Sequence, residues 1–265
     1  MALFTDGLPA SIDDLRRYDS FAESLAHDAG INLDTKLSVA AEEVGQAIFH
    51  FLLFQSTPCY LVTGWSLNFP PGEAGRRRLG LSDVMVTQAV RRWTALKALA
   101  GLYRDAYDSD VTDRYRVKWQ EFEQLARAAE DSAFTTGIGL SRNPVPKAPV
   151  PAITQAGQTE TGVDCVVRVT WVNGEGAEGA PSDVWHAPLA PGDQVTVPCP
   201  PPAGIVGWNS YVALAGNTPT LQNSAPLAPA AGWEMPLGSL ASGRPILEGQ
   251  PPDYFVVERR ILPRG

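Results

Sequence analysis

The chain of 265 residues has only three cysteines, Cys59, Cys165 and Cys199, which is too few for a disulfide framework. Their spacing also lacks the paired cysteines of a zinc site. Cys165 and Cys199 could pair across two β-sheets, but an intracellular chain would keep them as small buried apolar thiols. The cysteines therefore argue against a small secreted disulfide scaffold, and they predict no metal centre.

Excess positive charge is also missing. The chain carries 21 Lys and Arg against 29 Asp and Glu, a net charge of −8. Residues 1–150 hold 16 basic against 19 acidic residues, and residues 151–265 hold 5 against 10. Such a balance argues against a nucleic-acid-binding protein, which normally presents a basic face. The one dense basic run, Arg76-Arg77-Arg78, is either a solvated loop cluster or a contact to an acidic partner.

Long apolar runs are absent as well. The longest, residues 47–54, is interrupted by His50 and is too short to span a bilayer. The first residues, MALFTDGLPASIDDL, lack the basic and apolar regions of a signal peptide. We therefore expect a protein that is made in the cytoplasm and has no membrane partner.

Residue sets that would support chemistry are missing too. Glu42, Glu43 and His50 share a helical segment, but two carboxylates and one distant histidine make a poor metal site. The sequence around Gly137-Ile138-Gly139 lacks the Lys-Ser/Thr of a phosphate-binding loop. His186 has no Ser and Asp arrangement nearby. The sequence thus predicts no catalytic residue, no metal ligand and no cofactor, and the chain is not expected to be an enzyme.

What the sequence does contain is a sharp change of character at Asn143–Pro151 (NPVPKAPVP). Four prolines in nine residues favour an extended, polyproline-type connector. Before it the apolar residues recur with helical spacing, and after it come short alternating segments and most of the 23 prolines. This predicts an α + β protein with separate domains. They are a helical bundle (1–142), a Pro-rich linker (143–151), an immunoglobulin- or fibronectin-like β-sandwich (152–238) and a tail with one strand (239–265).

The helical half shows four periodic segments. Ser11, followed by two acidic residues, is typical of a helix start, and Gly30 is typical of a helix end. Further helices are predicted to begin near Asp34, at Ser82-Asp83 and after Asp113. The last has an aromatic stripe, Tyr115, Trp119 and Phe122, followed by Leu125, which is expected to be core. The irregular segment 57–80 contains the arginine run, and loops of this length are often contact elements.

The second half predicts a sandwich of about seven short strands, with Trp171 and Trp208 as its buried anchors. A last strand candidate, Asp253–Ile261 (DYFVVERRI), would either complete the sandwich or add to a sheet in a neighbouring subunit. Tyr254, Phe255, Arg259 and Arg260 in this tail are candidate interface residues, together with Arg76, Arg77 and Arg78.

Two stretches carry a resemblance. The segments GINLDTKLSVAAEEVG and VTQAVRRWTALKALAGLYRDAYDSDVTDRYRVKWQEFEQLAR resemble the helical head-to-tail adaptor, or connector, proteins of long-tailed bacteriophages over residues 10–147. In the second half, VTWVNGEGAEGAPSD and PPAGIVGWNSYVAL resemble the fibronectin type III or immunoglobulin-like modules that are often appended to phage virion proteins.

The resemblance implies a structural virion protein that forms a ring, of twelve subunits if it matches the portal, between capsid portal and tail. Its partners would be further copies of itself, the portal protein and the tail terminator or stopper proteins. DNA would pass through the ring without sequence-specific binding. The protein would be made in the host cytoplasm and would lie in the virion neck.

Two other functions stay open at this point. The chain could be a different tail or baseplate component whose β module faces outward. It could also be a carbohydrate-binding module on a helical scaffold, for which Trp65, Trp185 or Trp233 would have to be exposed as stacking platforms.

Overall fold

The computed structural model describes residues 1–56, 79–110, 113–154 and 162–257, and these form two compact units. The helical unit comprises residues 7–140 and 253–257, and the β unit comprises residues 1–6 and 141–252. Helices fill the first half of the chain and antiparallel sheets the second, so the predicted fold class is confirmed.

The units differ from the predicted domains at both ends of the chain. The first six residues belong to the β unit, whereas residues 253–257 belong to the helical unit. The segment 143–151, predicted as a free linker, is packed in the β unit. Val145 and Ala148 are 1% and 3% exposed and join its hydrophobic core. The prolines extend this segment, and its two core side chains, Val145 and Ala148, are three residues apart, which is the repeat of a polyproline helix.

In its described residues, the helical unit contains five α-helices and a two-stranded ribbon. The helices are α1 (Ile12–Tyr18), α2 (Ala22–Asp28), α3 (Leu33–Ser56), α4 (Gln88–Asp110) and α5 (Asp113–Thr136). The ribbon pairs β1 (Ile138–Leu140) with the last strand, β9 (Tyr254–Val256). The first predicted helix is therefore two helices, α1 and α2. They are separated at Asp19, whose backbone is extended and whose carboxylate accepts hydrogen bonds from the Phe21 amide and the Tyr103 hydroxyl.

The predicted helix ends are confirmed for the first of these segments. Ser11 and Asp14 form a reciprocal capping box at the start of α1. Gly30, with φ of +66°, lies just beyond α2 in the left-handed conformation that glycine adopts without strain. By contrast, Leu81–Asp83 is a short 3-10 turn and α4 begins only at Gln88.

Helix α4 is the centre of the helical unit and packs against α1, α2, α3 and α5. Its alanines and leucines are buried on nearly every side, as expected for a helix surrounded by others. Its contact with α5 is a narrow seam of Phe122, Ala126, Ala129 and Ala133. Trp119 is half-buried and Leu125 is 36% exposed, so the predicted aromatic stripe is only partly core. Small residues in the seam let the helices approach closely and leave the bulkier ring at its margin.

As far as the structure describes it, the β unit is a sandwich of seven strands. They are β2 (Ala152–Thr154), β3 (Val163–Asn173), β4 (Trp185–Leu189), β5 (Gln194–Thr196), β6 (Ile205–Leu214), β7 (Thr220–Leu221) and β8 (Trp233–Glu234). One sheet has the order β2-β5-β8 and the other β4-β3-β6-β7, with every pairing antiparallel.

The core between these sheets contains both predicted anchors. Trp171 and Trp208 are paired across β3 and β6, and they are 1% and 0% exposed. Cys165 lies in the same core as a free thiol, as expected, and burial raises its pKa. Cys199 is also a free thiol but is exposed, so the expectation that both cysteines are buried is wrong for this residue.

Candidate functional site

The predicted interface residues fall into two groups. Tyr254 and Phe255 lie on β9, whereas Arg76, Arg77, Arg78, Arg259 and Arg260 lie outside the residues that the structure describes. β9 does not complete the sandwich. It pairs antiparallel with β1 of the helical unit, with Phe255 opposite Gly139 and Val256 opposite Ile138. Local pattern located the strand but not its partner, which lies more than 100 residues earlier in the sequence.

The ribbon has one buried side and one exposed side. Ile138 and Leu140 are fully buried, and strand alternation places the other side on Gly139, Phe255 and Val257. Phe255 is 54% exposed and Val257 is 43% exposed. Because β1 contributes only glycine to this side, the two apolar side chains form an exposed patch, which we call the ribbon patch.

Gly137 is the residue that permits this arrangement. Its φ is +103°, and a Cβ built on it would lie 2.9 Å from Val257 Cγ1 and 3.0 Å from Phe255 Cβ. A side chain at this position would meet both backbone strain and collision with β9. In the sequence, Gly137 stood out as part of a Gly-Ile-Gly run that lacks the features of a phosphate-binding loop. Gly139, at the alternate position of β1, is buried but adds no side chain, which leaves Phe255 and Val257 as the exposed side chains of this side.

A second exposed apolar surface lies on α3. Val39, Glu42, Gln46 and Phe49 are exposed and spaced three and four residues apart, so they share one side of the helix. Val39 is 46% and Phe49 41% exposed. This side, which we call the α3 face, is opposite the buried stripe that packs in the helical core, including Leu37, Val44 and Ile48.

The α3 face is acidic as well as apolar. Lys36 is the only lysine or arginine in α3, and it pairs with Asp105 of α4. Glu43 pairs with Lys97 at 3.0 Å. Within the described parts of the chain, Glu42 has no ion-pair partner. The α3 face therefore combines apolar area with a carboxylate that is available for a cation.

In the β unit, the densest polar cluster surrounds Glu178, whose side chain is 9% exposed. Its carboxylate accepts a hydrogen bond from the Tyr211 hydroxyl at 2.8 Å and from Thr170 at 3.4 Å. It also accepts one from the Asn209 amide and pairs with Arg244, whose guanidinium lies 5.7 Å from the Tyr211 ring centre. Local sequence patterns did not predict this cluster, because its members come from three separate segments.

This cluster is internally satisfied. Burial, followed by the hydrogen bond to Glu178, raises the pKa of Tyr211 above its ordinary value. Arg244 belongs to the segment that runs beside β7, since its carbonyl accepts from the Leu221 amide at 2.9 Å. The cluster joins this segment to the outer side of the four-stranded sheet. We therefore infer that its role is to stabilise the fold of the β unit.

A depression of about 550 Å³ lies beside α1 in the helical unit. It is lined partly by Asp13, Arg16, Glu23 and Asp34. Arg16 occupies the middle of this set and bonds to Asp13 at 2.5 Å and to Glu23 at 2.8 Å. In the part of the chain that the structure describes, no group of three His, Cys, Asp or Glu residues is placed to hold a metal ion.

Of the three tryptophans that the carbohydrate-binding alternative names, the two that the structure describes are not exposed stacking platforms. Trp233 is 8% exposed, and Trp185 is half-buried against the sandwich core. Trp65 lies outside the described residues.

No described helix is both long and apolar enough to cross a bilayer. Comparison of the sequence with protein-family models and with curated proteins, and of the fold with solved structures, gives no match.

Proposed function

We propose that this protein is a structural subunit of a bacteriophage neck, which assembles side by side into a ring between the portal and the tail. The proposal starts from the resemblance of residues 10–147 to head-to-tail adaptors. The observation that carries it is the presence of two distinct exposed apolar surfaces on the helical unit, the α3 face and the ribbon patch. A ring requires a head-to-tail contact, in which one surface of a subunit meets a different surface of its neighbour.

The charge of the chain is compatible with this role. A channel for DNA must let a polyanion pass, and binding through lysine and arginine would hold it by counterion release. A chain with net charge −8 offers little of that attraction. We therefore propose that DNA passes through the ring without sequence-specific contacts.

The β unit fits a module that decorates the ring. Its four-stranded sheet ends at β4, an edge strand that contains Pro188. A proline on an edge strand removes a backbone donor and so discourages the addition of further strands. We propose that this unit faces outward and contacts neighbouring virion components through side chains.

The test is electron cryomicroscopy of virions that contain this chain, together with co-purification of the full chain and the portal protein. We expect a ring of twelve copies directly beneath the portal, built from the helical units. Density for this chain at any other place in the particle would overturn the proposal, and a position at the baseplate would favour the tail-component alternative.

A paired substitution adds a control. Phe255→Asp places a charge in the ribbon patch and should abolish ring formation on the portal. Val184→Asp introduces the same charge at an exposed valine of the β unit, 47% exposed, and should leave the ring intact. Equal behaviour of the two variants would contradict the role of the ribbon patch.

A further inference from the structure

We infer that the α3 face of one subunit is the docking site for the basic and apolar segment that follows β9, residues 258–262 (ERRIL), of a neighbouring copy. The inference rests on the proposed ring, which it deepens by naming the segment and the surface that meet. Three observations support it. They are the composition of the two surfaces, the place where β9 loses its partner strand, and the side of α3 that lies near the end of β9.

The first observation is complementarity of charge and polarity. The α3 face offers Val39 and Phe49 with the carboxylate of Glu42, and its helix contains no lysine or arginine except the paired Lys36. The segment after β9 has the opposite character, because Arg259 and Arg260 are followed by Ile261 and Leu262. An apolar contact flanked by an ion pair suits the rim of a protein interface.

The second observation is the length of the ribbon. β1 has three residues and follows α5 after Gly137. Continuing the register from Ile138 opposite Val256 places Val257 opposite Gly137. Beyond Gly137, the residues opposite a longer β9 would be those of the last turn of α5, whose amides already donate to carbonyls one turn earlier and cannot continue the ladder. Among the described residues of the helical unit, no strand other than β1 pairs with β9.

The third observation concerns direction. Phe51 of α3 packs against Phe134 of α5, with ring centres 4.8 Å apart. Phe134 lies one turn before Gly137, and Val257 lies beside Gly137, so the described end of the β9 segment is near the side of α3 that faces α5. Residues two apart on a helix point about 200° from each other, so Phe49 is on the side opposite to Phe51. A segment of the same chain would have to pass around α3 to reach Glu42, whereas a neighbouring copy can approach directly.

Disulfide trapping tests this contact in the full chain, in a background with Cys59→Ser and Cys199→Ser that keeps the buried Cys165. Phe49→Cys combined with Leu262→Cys should, after oxidation of assembled virions, give covalent dimers and higher multimers. Val117→Cys combined with Leu262→Cys is the control, since Val117 is 64% exposed on α5 and should not cross-link. A cross-link confined to single chains would overturn the inference, because it would place the segment on its own α3.

Charge exchange gives a second readout. Glu42→Arg alone, and Arg259→Glu with Arg260→Glu, should each lower the cross-linked fraction about fivefold, the upper range for an exposed ion pair. Combining all three substitutions should restore it. Failure of the combination to restore cross-linking would contradict the assigned pairing of charges.

The outcomes for the ring and for the contact are separable. If virion images show the ring but Phe49→Cys forms no cross-link, the proposed contact is contradicted and the proposed ring is supported. If the cross-links form between copies but the protein lies elsewhere in the particle, the proposed ring is contradicted and the proposed contact is supported.

Discussion

At the scale of single residues, one buried side-chain oxygen among the described residues of the β unit lacks a hydrogen-bond partner. Ser210 is fully buried on the core side of β6, and among the described residues its hydroxyl has no hydrogen-bond partner. Ser182 is equally buried, but its hydroxyl accepts from the Val169 amide at 3.1 Å and donates to the Asp183 carbonyl at 3.0 Å. These two buried serines of the β unit therefore differ in whether their hydroxyls have hydrogen-bond partners.

We predict opposite effects for the two alanine substitutions. Ser210→Ala should be neutral or raise the free energy of unfolding of the β unit by about 1 kcal/mol, because it removes an unpaired buried group. Ser182→Ala should lower it by about 1–2 kcal/mol, because it leaves the Val169 amide without its acceptor. Calorimetric unfolding of the full chain measures both changes. A loss for Ser210→Ala as large as that for Ser182→Ala would show that the Ser210 hydroxyl is satisfied in solution.

The buried tyrosines predict a dependence of stability on alkaline pH. Burial raises the pKa of Tyr103, with a further contribution from its hydrogen bond to Asp19, and Tyr211 is raised in the same way beside Glu178. The unfolded chain therefore loses these protons first, near the ordinary tyrosine value of about 10. Their contribution to stability is complete below that pH and declines as the pH rises above it.

The measurement is the urea midpoint of the full chain between pH 8 and pH 11. Tyr211→Phe should reduce the alkaline loss in the β unit, and Tyr103→Phe should reduce it in the helical unit. If both variants lose stability as steeply as the parent protein, the cause of the decline lies in other groups.

At the scale of elements, the packing of α4 against α5 buries two aromatic residues to different extents. Phe122 is 3% exposed and stacks on Tyr103 with ring centres 5.4 Å apart. Trp119 is half-buried and stacks on Tyr107 at 6.3 Å. We predict that Phe122→Ala lowers the free energy of unfolding by about 3–5 kcal/mol, the range for a buried aromatic residue. Trp119→Ala should cost less than half as much. Equal losses in chemical denaturation would place Trp119 in the core, as the sequence had indicated.

The ribbon depends on Gly137. We predict that Gly137→Ala detaches β9 from β1, because the added methyl group combines unfavourable backbone conformation with contact at 2.9 Å to Val257. Hydrogen exchange should become faster for Ile138–Leu140 and Tyr254–Val256 alone. Gly30→Ala is the matched control: its φ is +66°, but a Cβ there meets no atom within 4 Å. It should cost about 1 kcal/mol and leave exchange in the ribbon unchanged. Protection of β9 in Gly137→Ala would contradict this account.

Several elements were predictable from local pattern, and the reasons for the failures are physical. The periodic segments of α3, α4 and α5 and the alternation in β3 and β6 were sufficient to predict them. The break at Asp19 was not visible, because it depends on Tyr103, which is distant in sequence. β1, β2 and β7 have two or three residues each and leave no periodic signal. The pairing of β9, and hence the ribbon patch, depends on contacts between the end of the chain and a segment near its middle.

At the scale of the whole molecule, each unit contains a terminal segment from the far end of the sequence. In the β unit, the Met1 amino group donates to the Gln250 carbonyl at 3.0 Å, and Asp6 accepts from the Lys147 amide at 2.9 Å. In the helical unit, residues 253–257 supply β9. The chain thus passes from one unit to the other at three points, and neither unit is a continuous stretch of sequence.

This organisation predicts that removing either end of the chain destabilises the unit that is not adjacent to that end in the sequence. Removing residues 1–6 should destabilise only the β unit, because Leu3, which is 4% exposed, and the bonds to Gln250 and Lys147 are lost there. Removing residues 253–265 should destabilise only the helical unit, because β1 loses its partner and Ile138 and Leu140 become accessible. Hydrogen exchange of the two truncated chains, compared with the full chain, separates these effects by region. The opposite result would be faster exchange only in the helical unit after removal of residues 1–6, and only in the β unit after removal of residues 253–265. That result would contradict the assignment of the terminal segments to the two units and support a single domain boundary near residue 147.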